Sequence, residues 1–218
     1  MKTLRFVLAT CLLLFLSGCA LLGGGGNDKR STIYVLDPRV EAAPDWPAVD
    51  WQLTVAPAGA SRMTDSLRIM VRPTPHEMQV YSGAAWGKMP TDMVEDALLR
   101  TLEDSSRIGA VARQGSGVAA DYKLVLDLRR FDASYDGRPV PSANIELSAK
   151  LLHASQQHVV ASRTFARSIP ATGTSVPEVV GAFDRALHDV TAELAGWVLS
   201  NGNGHATDTS PAAAPVIP

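Results

Sequence analysis

Few side chains in this 218-residue chain combine the residue type and the spacing that chemistry needs. His76-Glu77 begins like the His-Glu-x-x-His helix of a zinc peptidase, but position 80 is valine, so the second imidazole is missing. Pro73 and Pro75 also oppose a helix there. Ser116 stands between Gly115 and Gly117 without the Gly-x-Ser-x-Gly spacing of a nucleophile elbow. His153 and His158 flank a predicted hairpin turn, where solvated side chains are the expected reading and a shared metal the lesser one. His188-Asp189 falls on the wet face of a predicted helix, and Asp184 and Asp189 are five apart, which does not make them helix neighbours. There is no Walker sequence and no Gly-x-Gly-x-x-Gly opening a helix. The expectation is a protein that is not an enzyme, with no catalytic residue, metal site or cofactor.

The cysteines point to different chemistry. Cys11 and Cys19 both fall within the first twenty residues, so the body has no thiol for a disulfide, a metal or a nucleophile. Lys2 and Arg5 precede Phe6 to Leu16, an apolar stretch broken only by Thr10, and small residues follow. That order is a secretory signal, and eleven residues fall well short of the ~20 needed to span a bilayer. Leu16-Ser17-Gly18-Cys19 resembles the lipobox of bacterial lipoproteins, in which the cysteine sulfur is alkylated by diacylglycerol and cleavage makes it the acylated first residue. By this reading 1–18 is a lipoprotein signal peptide and Cys19 the lipidation site, carrying acyl chains such as palmitate. Two or more chains make a stable anchor. Position +2 is Ala20 and not aspartate, which by the same resemblance directs the protein to the periplasmic face of the outer membrane in preference to the inner.

Residues 19–31 form a Gly-rich tether, and its four consecutive glycines and polar Asn27 to Arg30 cannot bury a core. The segment from 201 to 218, opening Asn-Gly-Asn-Gly and rich in Ala, Pro, Ser and Thr, reads as a disordered tail. Between them lies one expected domain, 32–200. Once 1–18 is gone, 18 basic side chains face 22 acidic ones, so bulk charge favours neither nucleic acid nor anionic lipid.

The elements follow from hydrophobic period. Thr32 to Leu36, Trp51 to Ala56, Leu67 to Val71 and Glu77 to Ser82 read as short strands bounded by prolines or turns. Pro90 to Ser105 repeats Met93, Val94, Ala97, Leu98 and Leu102 at helical spacing. From Asp121 to Phe131 and from Ile145 to Leu151 apolar and polar residues alternate, which predicts half-buried antiparallel strands. Val159 to Arg167 is a third such strand, with a poor alternation because Arg163 and Arg167 share parity with Phe165; a bulge or a wrong phase would explain it. The last helix has Ser175 and Glu178 three apart as a capping box, then Phe183, Leu187, Val190, Leu194 and Trp197 as a stripe that packs on the sheet. The fold class expected is α+β, a single domain with a mainly antiparallel sheet packed by two main helices.

Several of these pieces recur together in a known order: the lipobox; Tyr34-Val35-Leu36-Asp37-Pro38; Leu67-Arg68-Ile69 with Val71; Tyr81, Trp86 and Pro90 leading into the helix; Asp121-Tyr122 with Leu124 and Phe131; Leu147 to Leu151; Val160-Ala161-Ser162-Arg163 with Phe165; and Trp197. In that order the chain resembles the ABC-type transport auxiliary lipoprotein family, the group of PqiC-like outer-membrane lipoproteins. The tether and the tail depart from that pattern. The resemblance implies a non-enzymatic auxiliary component of a lipid-transport system of the mammalian-cell-entry (MCE) type. Its partners would be an MCE-type substrate-binding protein and an inner-membrane permease or ABC transporter, with the membrane reached through the lipid anchor and a homo-oligomer as an expectation borrowed from such systems. A structural or assembly-factor lipoprotein of the outer membrane, without a transport partner, is the alternative.

Two surfaces are candidates for docking. Lys123, Arg129, Lys150, Arg163 and Arg167 are expected on the outer sheet face, but they alternate with Asp127 and Glu146, as a mixed solvated face does. Tyr81 and Trp86 are the named partner-binding candidates, because Gly83-Ala84-Ala85-Trp86-Gly87 sets a large aromatic in what reads as a flexible connection. A Trp86 folded back over the sheet to lock the helix entry is the competing reading.

Overall fold

The structure, a computed structural model, describes residues 31–202. Its spine is β7 (Tyr122–Ser134), whose even-numbered residues Tyr122, Leu124, Leu126 and Leu128 are all buried. Along one edge β7 pairs antiparallel over its whole length with β8 (Ser142–His153), which in turn pairs antiparallel with β9 (Val159–Pro170). Along its other edge three short strands succeed one another, all parallel to it: β2 (Gln52–Val55) at its start, β3 (Gly59–Ala60) at its middle and β4 (Arg68–Arg72) at its end. β6 (Ala110–Arg113) adds to β2 in parallel, while β5 (Gln79–Trp86) adds antiparallel to β4 and β1 (Thr32–Tyr34) parallel to β5. The antiparallel meander β7-β8-β9 is as the alternation predicts. The parallel pairings of β1 to β4 and β6 make the sheet mixed, and β3 and β6 had no sequence-level prediction.

Two helices cover one face. α1 (Pro90–Ser105) has proline in its first turn, where the missing N–H removes no hydrogen bond, and buries Met93, Val94, Ala97, Leu98 and Leu102 as its period requires. α2 (Val176–Asn201) opens on Ser175, whose backbone N–H and hydroxyl both donate to the Glu178 carboxylate, at 3.1 and 2.6 Å. Both helices share one hydrophobic core with the inward residues of β2, β4, β7 and β8. α2 also runs to Asn201, and Gly202 after it is buried, so the fold extends two residues past the expected boundary at 200.

Two glycines explain how the 38–51 loop seats on α2. Trp46 lies over Gly196 and Trp51 over Gly202, and a Cβ at either glycine would collide with the indole. Gly202 has φ −76°, an ordinary value, so its role is the space it leaves and not a left-handed turn.

The bulge expected in β9 has a more consequential counterpart in β7. Leu128 pairs with Leu147 and Arg130 with Glu146, leaving Arg129 as the extra residue, and inward parity passes from even to odd so that Phe131 and Ala133 enter the core. β9 does carry one at Val160, between the pairs Leu151–Ala161 and Leu152–Val159. It does not account for the two arginines. Arg163, Phe165 and Arg167 pair with Ala149, Leu147 and Ile145, all inward residues, so these arginines lie on the helix side, where both ion-pair with Glu193 of α2. Inward charges on an edge strand are a known guard against edge-to-edge pairing.

Candidate partner surface

Trp86 is 2% exposed, and the structure therefore removes it from the docking surface. It ends β5, where its N–H donates to the Leu67 carbonyl at 2.7 Å, and its indole meets Phe183 of α2 edge-on at 5.3 Å and Phe131 of β7 edge-on at 5.8 Å. Phe131 and Phe183 stack at 5.0 Å, which completes a three-ring cluster joining strand, spine and helix. The physical reason is local: the Gly-Ala-Ala context that reads as flexible is a strand, with Ala84, Ala85 and Trp86 paired to Thr32, Ile33 and Tyr34 of β1. Trp86 thus plays the packing role that was the competing reading.

Trp197 corrects in the opposite direction. Toward the C-terminal end of α2 the buried stripe passes to Ala195, Val198 and Leu199, leaving Trp197 half-buried at its margin, edge-on to Phe165 at 5.6 Å. Arg163 covers the same Phe165 ring, with its guanidinium carbon 5.0 Å from the centroid.

Tyr81 stays at the surface boundary. It is half-buried in β5, and its hydroxyl has no hydrogen-bond partner. Burial, with Tyr135 beside it, pushes the phenol up to about 12. The hydroxyl oxygen is itself shielded from solvent, so its missing partner is a feature of the interior and only the rest of the ring borders the surface. Cys19 lies outside the described residues, as do the tether to Arg30 and the tail from 203.

Polar groups elsewhere are tied to one another. Asp132, 3% exposed, accepts from Arg72 Nε at 2.7 Å and Arg130 Nε at 3.0 Å, and Asn144 Nδ2 bridges the Asp132 carbonyl, the Ser134 hydroxyl and the Ser142 carbonyl. This network fills the outer face beside the bulge. On α1, Asp96 binds Lys88 at 2.6 Å and Arg113; burial raises its carboxyl, but the two cations outweigh that and hold it below the usual range. Glu95 accepts from the Ala58 N–H at 2.6 Å and pins the β2–β3 connection. Asp37 is held low by Arg100. On the outer face Arg129 pairs with Asp127 and Glu146, whereas Lys150 is exposed.

The residues weighed for chemistry are scattered. His76 is exposed in the β4–β5 connection, Ser116 sits in an exposed turn between two glycines of positive φ, and His188 Nδ1 meets Asp189 at 3.0 Å. His153 and His158 stack across the β8–β9 turn at 5.9 Å. Among the described residues no group of three or more His, Cys, Asp or Glu side chains converges on a point, and no helix is long and apolar enough to cross a membrane.

This fold and these residues have relatives. A crystallised Xanthomonas campestris protein is 52% identical, with a TM-score of 0.76 over 79% of this chain and 97% of its own. A second solved structure, 15% identical over 74% of this chain and 99% of its own, has a TM-score of 0.58 and shows the fold alone. A Bradyrhizobium diazoefficiens protein is 26% identical over 84% of this chain, and the chain spans about half of that relative, 49% of its length. The family model described as the ABC-type transport auxiliary lipoprotein component matches residues 34–195, from the inward Tyr34 of β1 to the buried Ala195 of α2, and the chain belongs to that family.

Proposed function

We propose that this protein is a lipid-anchored, periplasm-facing auxiliary subunit of an MCE-type lipid-transport system, held at the outer membrane through Cys19, that binds and positions its transport partners and performs no chemistry of its own. The observation that carries this reading is the family match across 34–195, which runs from the last residue of β1 to within six residues of the end of α2. The lipobox-like Leu16-Ser17-Gly18-Cys19 supports the anchor, and Ala20 supports the outer membrane. A tether of twelve residues before β1 would let the domain work within ~40 Å of the bilayer at full stretch. Its partners would be the MCE-type substrate-binding protein and the inner-membrane permease or ABC transporter. Tyr81, half-buried in β5, is the docking candidate that remains.

The test is reciprocal co-purification of the acylated protein with a co-expressed MCE protein, beside a Cys19→Ser variant. Wild type is expected in outer-membrane fractions with the MCE protein bound, and Cys19→Ser as an unprocessed precursor that takes up no labelled palmitate. Recovery of no MCE protein together with normal lipid asymmetry on deletion would overturn the transport assignment, and wild type in the inner membrane would overturn the sorting.

A further inference from the structure

β1 is the edge strand through which the chain enters the domain, and it is apolar on the side facing away from the core. Ile33 is 58% and Val35 61% exposed, the two largest exposures among the large hydrophobic side chains of the described residues. They are neighbours, since both side chains pack about Gly87. Ile33 pairs with Ala85, which pairs with Arg68 on β4, so an apolar residue and a cation share one row of the outer face. Arg68 is exposed and has no ion pair among the described residues, and Met89, two residues beyond Gly87, is 37% exposed. An apolar pair with an unpaired cation beside it matches the chemistry of a bilayer interface with anionic headgroups, where aliphatic side chains enter the acyl boundary and basic ones remain with the phosphates.

The length of chain before β1 selects that occupant. Twelve residues separate Cys19 from Thr32, a reach of at most ~40 Å. A domain of this size is ~40 Å across. A link no longer than the body it holds keeps the attachment strand on the bilayer side of the domain, and Ile33 lies in that strand with Val35 one residue beyond it. We infer that the β1 edge, through Ile33 and Val35 with Arg68 beside them, lies against the phospholipid surface and orients the domain on it. This rests on the anchoring reading above.

The mature chain allows a clean test, because Cys19 would be its sole cysteine and would be thioether-linked. Val35→Cys and Val159→Cys, each in the full acylated protein, then carry the single free thiol. Val159 is 50% exposed and lies on β9, the opposite edge of the sheet, so it is a matched control. Each is labelled with an environment-sensitive fluorophore and reconstituted into phosphatidylethanolamine–phosphatidylglycerol vesicles containing a lipid with a nitroxide near the top of its acyl chain. Quenching at 35 should exceed that at 159 by about threefold or more, since interfacial side chains sit within the reach of such a nitroxide. Equal quenching at the two positions overturns the inference, and so does protection of 35 by a second copy, read as excimer emission from a pyrene label without lipid quenching. The mass of the purified protein separates the two layers of argument. Acylated Cys19 with an unquenched label at 35 means the surface is wrong, whereas unmodified Cys19 removes the anchor and the inference together.

Discussion

Replacing Trp86 by alanine deletes the ring that joins β5 to Phe131 of the spine and Phe183 of α2. At 2% exposure nearly the whole indole leaves the core, and truncations of that size cost ~3 to 5 kcal/mol when the cavity cannot collapse. Two edge-on ring contacts disappear with it, each worth ~0.5 to 1.5 kcal/mol within that total. A domain of this length has ~5 to 15 kcal/mol of stability, and each kcal/mol moves its Tm by ~2 to 4 °C, so Trp86→Ala should melt ~6 to 20 °C below wild type. Trp197→Ala is the internal control. It gives up a half-buried ring with one edge-on partner at 5.6 Å, and should cost ~1 to 2 kcal/mol, or ~2 to 8 °C. Paired thermal melts followed by far-UV circular dichroism measure both. A Trp86→Ala melt within two or three degrees of wild type, or a Trp197→Ala melt lower than that of Trp86→Ala, would refute the placement of the two indoles.

Tyr81→Phe should leave stability unchanged or raise it by up to ~1 kcal/mol, since the hydroxyl has no partner to lose, and should remove a tyrosine titration near 12 from the ultraviolet difference spectrum; a loss above ~1 kcal/mol would reveal a hydrogen bond to Tyr135. Glu193 holds Arg163 and Arg167 at a partly exposed position, so a double-mutant cycle of Glu193→Gln with Arg167→Ala should give a coupling of ~0.5 to 1.5 kcal/mol that shrinks with added salt, and a coupling of zero would make the pair ornamental. Asp37, Asp96, Asp136 and Glu178 are all held below the ordinary carboxylate range, so the native state binds fewer protons than the unfolded chain, and their stabilisation, fully present at neutral pH, should fade as the pH drops through and below about 4. Tm measured from pH 6 downward should fall steadily, and a flat profile would show that these pairs are equally formed in the unfolded chain.

The helices and the meander were legible in the sequence because each runs long enough for a period to declare itself. α1 spans the residues its stripe predicts, and Phe131 already betrays the β7 bulge, being odd where Tyr122 to Leu128 are even. The parallel strands were harder for a physical reason. β3 and β6 have two and four residues, too few for alternation, and what stabilises them is pairing to β7 and β2, which lie tens of residues away. Trp197 was misjudged by the same rule applied too locally. A heptad stripe drifts by ~20° per repeat against a straight helix, which carries Trp197 to the margin by the second repeat. Trp86, lacking periodic neighbours, draws its burial from residues 45 and 97 positions later in the chain.

The layout of the spine also separates the two ends of the described chain. Tyr34 pairs with Trp86, which sits at the level of Phe183, early in α2, whereas the helix ends at Gly202, whose carbonyl accepts the Tyr122 hydroxyl at 2.7 Å at the start of β7. Gly202 is nineteen residue steps beyond Phe183, ~28 Å along the axis. An anchor acting through β1 therefore pulls on one end of the domain, while whatever follows Gly202 departs from the other. Tyr81 and Tyr135 lie with the anchored end, since Tyr135 follows the terminal residue of β7 and Tyr81 shares a strand with Trp86. A partner that docks at Tyr81 would meet the domain close to its attachment, where β1, the three-ring cluster and the start of α2 form one packed unit and where a pull on the tether is borne by the core.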